Sequence, residues 1–196
     1  MSELHVIFGS GPAGTATARA LTAMGERVRV VNRSGKANAA LPDGIEVAAA
    51  DVRDPIASRN AAEGATVIYS CLNAPYHRWP QEFPALQSGV LKAAEQLHAR
   101  LVALENLYMY GEVVGPMSEG LPNTPCSRKG QVRAAMNTAL MVAHEQGRVR
   151  VAIGRASDFY GPGVTASSLG ERFFRPLVQG KGGETMGDPQ ALHSYA

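Results

Sequence analysis

LHVIFGSGPAGTATARALTAM, residues Leu4 to Met24, decides the fold. Val6-Ile7-Phe8 is a short apolar run that reads as a buried strand. An alanine-rich helical pattern follows it, with Ala13, Ala16, Ala20 and Met24 along one face. Gly9, Gly11 and Gly14 stand between strand and helix at G-x-G-x-x-G spacing. In a dinucleotide site each glycine has a physical task. Gly9 permits the tight turn, Gly11 lets a pyrophosphate approach the backbone without meeting a Cβ, and Gly14 lets helix and strand pack closely. The N–H groups and positive dipole end of the helix, entered through Ser10, Pro12 and Ala13, then face the phosphates. Pro12 supports that helix start because a proline in the first turn sacrifices no helix bond. The alternative is a glycine turn with a purely structural role.

Outward from this unit, strand and helix patterns alternate. Arg27 to Val31, Ile45 to Ala49, Thr66 to Ser70, Leu101 to Leu104 and Arg148 to Ile153 read as further strands. Pro80 to Ala99 reads as a helix with Phe83, Leu86, Val90, Ala94 and Leu97 on its apolar face. Ser127 to Glu145 reads as a second long helix with Val132, Met136, Ala139 and Ala143 inward. The alternation predicts one α/β domain: a doubly wound, mostly parallel Rossmann-like sheet with helices on both faces. The tail from Gly180, with Gly182, Gly183 and Gly187, has little regular pattern.

A chain of 196 residues can bury one sizeable core. Its formal charge of +2 and lack of basic runs argue against a nucleic-acid or membrane-surface partner. No apolar stretch is long enough to span a bilayer, and no signal peptide is evident. Cys71 and Cys126 are too few for a disulfide scaffold and lack metal-ligand spacing, so no metal is expected. The cytoplasm is the default compartment. His5, His77, His98, His144 and His193 are scattered and read as ordinary surface or core imidazoles.

Ligands of such sheets bind at the carboxyl ends of the strands. The second strand ends in Asn32-Arg33-Ser34, where an NAD site would usually place Asp or Glu on the ribose 2′-hydroxyl. A neutral Asn followed by a guanidinium suits a 2′-phosphate, so NADP(H) is favoured over NAD(H). Otherwise Arg33 is a solvated loop residue. After the third strand come Asp51 and Val52, where a carboxylate can meet the adenine amino group. After the fourth come Leu72 and Asn73 in a small-residue turn that can border the cofactor. Asp51 and Asn73 serve equally well as capping or turn residues.

FGSGPAG at 8–14, AADVRD at 49–54, ENLYMYG at 105–111, SRKGQVR at 127–133 and GRASDFYGPG at 154–163 occur in that order. In these motifs the chain resembles the extended or atypical short-chain dehydrogenases/reductases, the NAD-dependent epimerase/dehydratase family. The resemblance implies a substrate pocket over the nicotinamide and a small-molecule substrate. It implies a homodimer through the helices near 81–99 and 127–146, where alanines, Met136 and Met141 can pack across the two-fold axis. It also implies a C-terminal substrate lobe, which the chain, stopping at His193-Ser194-Tyr195-Ala196, carries in truncated or reduced form.

Two departures from the family pattern stand out. The first glycine position of the family's G-x-x-G-x-x-G is Phe8, with glycine one residue later. The family's catalytic Ser, Tyr and Lys fall on Asn106, Lys129 and Arg133. Residues 129 and 133 are i and i+4, so two cations share a helix face, and something anionic must face them unless that face is solvated. A cofactor or an acidic substrate would serve. Both positions are expected to face the ribose and nicotinamide, so Lys129→Met and Arg133→Met should weaken NADPH binding. Lys129 is a candidate proton carrier, whereas Arg133 can only hold charge. Tyr110, with Tyr108, Asp158 and Tyr160, supplies further candidates. Tyr76, His77 and Trp79 lie where they can line a pocket. Generic ketones are expected to turn over slowly, if at all.

Two functions fit. One is an NADP(H)-dependent reductase, epimerase or dehydratase-like enzyme on a small carbonyl or hydroxyl compound. The other is a non-catalytic NADP(H)-binding redox sensor or regulatory module. A methyltransferase using S-adenosylmethionine fits Arg33 and the YMYG and DFYGPG motifs less well.

Overall fold

A computed structural model describes residues 3–167, 169–184, 188 and 190. Gly187 and the terminal His193-Ser194-Tyr195-Ala196 lie outside the described residues. The elements run β1 (Leu4–Phe8), α1 (Pro12–Ala23), β2 (Arg27–Asn32), β3 (Glu46–Ala49), α2 (Pro55–Ala61), β4 (Val67–Ser70), α3 (Trp79–Leu97), β5 (Arg100–Glu105), α4 (Arg128–Glu145), β6 (Val151–Arg155) and α5 (Glu171–Val178). Single 3-10 turns at Tyr76–Arg78 and Tyr108–Tyr110 follow β4 and β5. The six strands form one sheet in the order β3-β2-β1-β4-β5-β6. β1 pairs in parallel with β2 (Val6 beside Arg29) and with β4 (Val6 beside Ile68). The order reverses between β1 and β4, and ligands of open α/β sheets bind outside the strand ends at such a point.

β1 is buried at all five positions and feeds both faces, as a central parallel strand must. Val6 and Phe8 join the larger core with Val90, Ala94, Leu140 and Ala143 from α3 and α4. Ile7 packs on the other face with Ala18 and Leu21 of α1. At about 25 cal/mol per Å2 of apolar surface, burial of each such aliphatic side chain contributes roughly 1.5–3 kcal/mol.

The inward faces of two helices differ from expectation. α1 buries Gly14, Thr15, Ala18 and Leu21, leaving Ala16, Ala20 and Met24 exposed. α4 buries Arg133, Met136, Asn137, Leu140 and Ala143, while Ala139 points outward. Alanine tolerates either side of a helix, so the larger residues fix the rotation. Met136 is buried against Trp79 and Phe83 of its own chain, which removes it from the expected dimer interface. The sixth strand starts at Val151 because the amides of Arg148 and Val149 turn back onto the Ala143 carbonyl at the end of α4. α2, absent from the sequence reading, is capped by Asp54, whose carboxylate accepts the Ile56 and Ala57 N–H groups, with Pro55 next.

The chain divides into two compact units, Met1–Gly154 and Arg155–Ala196. The second contains α5, with Tyr160 tilted against Phe174 at 5.8 Å and Phe173 edge-on to Phe174 at 5.1 Å. No helix among the described residues is long and apolar enough to cross a membrane, and no metal-binding cluster occurs among them.

Candidate functional site

The glycine turn has the shape the spacing calls for. Gly9 has φ +109°, and a Cβ there would lie 2.6 Å from the Cys71 carbonyl oxygen of the neighbouring strand end. A Cβ on Gly14 would lie 1.9 Å from the Gly9 carbonyl oxygen. A Cβ on Gly11 would meet nothing within 4 Å, so the space above that residue is open. Gly11 is the N-cap of α1, no side chain caps the helix, and Pro12 follows. The helix therefore presents its N-terminal amides to open space, as a pyrophosphate requires.

The end of β2 is built around Asn32. Its Oδ1 accepts from the Ser34 amide (3.1 Å), Ser34 Oγ (3.0 Å) and the Gly35 amide (2.8 Å). Its Nδ2 donates to Ser10 Oγ (3.1 Å) and the Lys36 carbonyl (3.0 Å). The Asn32 amide is thus committed to the loop and ties it to the glycine turn. Asn38, which the sequence reading passed over, adds a second tie through Nδ2 to the Ser10 carbonyl at 2.8 Å. This turn holds Arg33, Ser34 and Lys36 at the exposed rim.

Asp51 is clamped by Arg53, whose amide and guanidinium donate to its carboxylate, and this hydrogen bonding lowers its pKa to about 2. The Val52 side chain is in the core, and its carbonyl accepts from Ser58 Oγ at 3.0 Å. Leu72 packs partly against the core, and Asn73 is exposed. Burial pushes the Cys71 thiol pKa upward, so it is no ready nucleophile.

Asn106, Tyr108 and Tyr110 follow β5. Asn106 Oδ1 accepts the Tyr108 amide at 3.2 Å, forming the turn, and Tyr110 is 2% exposed, a core residue. Ser127 caps α4 through the Gly130 amide. Gly130 lets α4 come close to the β5 turn: a Cβ there would be 2.6 Å from the Tyr108 carbonyl oxygen. That approach brings Lys129 and Arg133 against aromatic rings. Lys129 Nζ lies 3.8 Å from the Tyr76 ring centre. The Arg133 guanidinium carbon lies 4.3 Å from the Phe83 ring centre and 5.0 Å from that of Trp79. Such contacts contribute roughly 0.5–2 kcal/mol, most where the cation is desolvated.

The sequence reading missed Glu105. Its carboxylate lies 3.3 Å from Arg133 Nη1, with both side chains almost wholly buried. Burial pulls the Arg133 pKa down, and the Glu105 charge opposes that pull. The anion that the cationic helix face requires is therefore built into the protein for Arg133. Lys129, half-buried, is the cation left near the surface. Asp158 and Tyr160 belong to the second unit, and Tyr160 is exposed there.

A parallel sheet with an open glycine turn at its switch point defines a Rossmann-like fold. The family model for the NAD dependent epimerase/dehydratase family matches residues 6–193, and the chain belongs to that family. No protein with a curated description matches it. Solved structures similar in fold include the Bordetella bronchiseptica enzyme WbmG in complex with NAD and UDP (20% identity, TM-score 0.76), covering 92% of this chain and 61% of WbmG. The Thermus thermophilus UDP-glucose 4-epimerase complex with NAD is similar at 20% identity and TM-score 0.77, over 98% of this chain and 70% of the epimerase. A Bacillus cereus UDP-glucuronic acid 4-epimerase variant is similar at 18% identity and TM-score 0.82, over 98% and 68% of the two chains. The chain thus spans about three fifths of the length of WbmG.

Proposed function

We propose that the protein binds NADP(H) across the β1–β4 switch point and acts as an oxidoreductase, epimerase or dehydratase-type enzyme on a small carbonyl or hydroxyl compound. The observation that carries the cofactor preference is the Asn32-ordered turn, which spends its amide on the loop and leaves Arg33 at the rim with no carboxylate at the end of β2. WbmG and the Thermus thermophilus epimerase are NAD complexes, and this turn is the reason for a different preference here. The glycine turn and the α1 amides would hold the pyrophosphate, and Arg33 with Ser34 would hold the 2′-phosphate. When bound, the nicotinamide supplies or accepts the hydride. The protein binds and orients the cofactor and manages protons.

Arg33→Ala is expected to remove most of the preference for NADPH over NADH. A charge-assisted phosphate contact contributes about 1.5–3 kcal/mol, a ratio of about tenfold or more. Equal affinity loss for both cofactors would assign Arg33 to the loop's structure instead.

The non-catalytic reading, an NADP(H)-dependent sensor, draws support from Arg133, whose position is taken up by a buried ion pair. NADPH oxidation with a panel of carbonyl compounds separates the two readings. Homodimerisation through α3 and α4 is part of the proposal: α4 exposes Ala135, Ala139 and Val142, and α3 exposes Ala85. Sedimentation is expected to give a dimer at micromolar concentration and a monomer for Ala139→Glu. A parent monomer at high micromolar concentration would contradict it.

A further inference from the structure

The proposed reaction needs a proton carrier, and the helix position where the family places tyrosine holds Lys129. Tyr76 and Tyr108 come from the turns that follow β4 and β5, at the carboxyl end of the sheet. Tyr76 Oη donates to Tyr108 Oη at 3.4 Å. Lys129 caps the Tyr76 ring at 3.8 Å, and Trp79 lies against both phenols, 5.1 Å from the Tyr76 ring and 5.9 Å from that of Tyr108. The fixed charge of Arg133 is close enough to couple electrostatically to Tyr108. Tyr76 is 55% exposed, so the pair connects the site to water.

We propose that Tyr108 is the catalytic proton donor and Tyr76 its relay to solvent, with Lys129 as the cation that stabilises the negative charge passing through the pair. This rests on the cofactor reading above. In the reducing direction, the bound nicotinamide would supply the hydride that forms the new C–H bond at the substrate carbonyl carbon. The C=O π pair moves to oxygen, which takes the Tyr108 proton. Tyr108 recovers a proton from Tyr76, and Tyr76 from water. The carbonyl would be reduced as the cofactor is oxidised, and in reverse Tyr108 would take the alcohol proton while the nicotinamide accepts the hydride. Gly130 is a positioning residue, because only the absence of a Cβ lets α4 bring Lys129 up to the turn that carries Tyr108.

Two readouts test the pair. The first uses the apo protein. Lys129 Nζ sits over the Tyr76 ring, so a double-mutant cycle of Lys129→Met and Tyr76→Leu, read by urea denaturation, is expected to show coupling between the two side chains. Strictly additive losses would overturn the Lys129–Tyr76 contact on which the charge stabilisation rests. The second uses NADPH with phenanthrenequinone, an activated dicarbonyl. Tyr108→Phe is expected to bind NADPH like the parent and to lose about 100-fold or more in kcat, with Tyr76→Phe losing about tenfold, in the range of general acid catalysis. Parental kcat in Tyr108→Phe, or a parent that binds NADPH but reduces no quinone, would overturn the relay. A parent that binds no NADPH would overturn the cofactor reading instead, and the coupling measured in the apo protein would still judge the pair.

Discussion

Arg133→Met is expected to lower the unfolding free energy by about 3–5 kcal/mol, measured by urea denaturation. Arg133 is 6% exposed, its guanidinium carbon lies 4.3 Å from the Phe83 ring centre and 5.0 Å from that of Trp79, and it faces Glu105, which is 2% exposed. Methionine fills much of the space, so the loss is electrostatic: the cation facing a buried carboxylate is gone. Replacing both partners, in Glu105→Leu with Arg133→Met, is expected to recover most of the stability, because an apolar pair of similar volume carries no desolvation cost. That recovery separates an ion pair from a packing defect. Parental stability in Arg133→Met would mean that the pair contributes nothing. The expectation that Arg133→Met acts by removing a cation from the cofactor is thereby changed: Arg133 reaches the site through the architecture of α3 and α4, and Lys129 is the position whose charge is open to test.

Gly11→Ala and Gly14→Ala are expected to fail in opposite ways. A Cβ on Gly14 would lie 1.9 Å from the Gly9 carbonyl oxygen, so strand and helix must separate and stability should fall by about 3 kcal/mol. A Cβ on Gly11 meets nothing within 4 Å, and its φ of −73° suits alanine, so folding should be unaffected. Its methyl would occupy the space reserved for the pyrophosphate, and NADPH affinity should fall tenfold or more. Thermal melts and cofactor titrations of both variants check this. A Gly11→Ala protein that binds NADPH like the parent would show that the glycine turn is only structural.

The glycine turn was legible because its demands are on the backbone: φ +109° at Gly9 and a close contact at Gly14 leave glycine little alternative. The sheet was legible because buried parallel strands are apolar runs. The rotation of α1 was not, since its alanines carry no preference for either side and Thr15, Ala18 and Leu21 set it. α2 announced itself in Asp54-Pro55, an N-cap followed by a first-turn proline, and that signal was passed over. Glu105 was hidden because a carboxylate at the end of a strand looks like the start of a loop. Only the tertiary approach of α4, allowed by Gly130, turns it into the partner of Arg133. Asn32 was legible by position but its part in ordering the loop was not, because its five hydrogen bonds run to groups within the loop and the glycine turn, which only the fold brings to it.

The preference for NADP(H) is tested most directly by titrating the parent protein with NADPH and NADH while following the emission of Trp79, the chain's one tryptophan, at the edge of the candidate site. Reduced nicotinamide absorbs where tryptophan emits. Saturable quenching of Trp79 with sensitised nicotinamide emission is expected, at a dissociation constant about tenfold or more lower for NADPH than for NADH. Equal dissociation constants, or no saturable quenching with either cofactor, would contradict it.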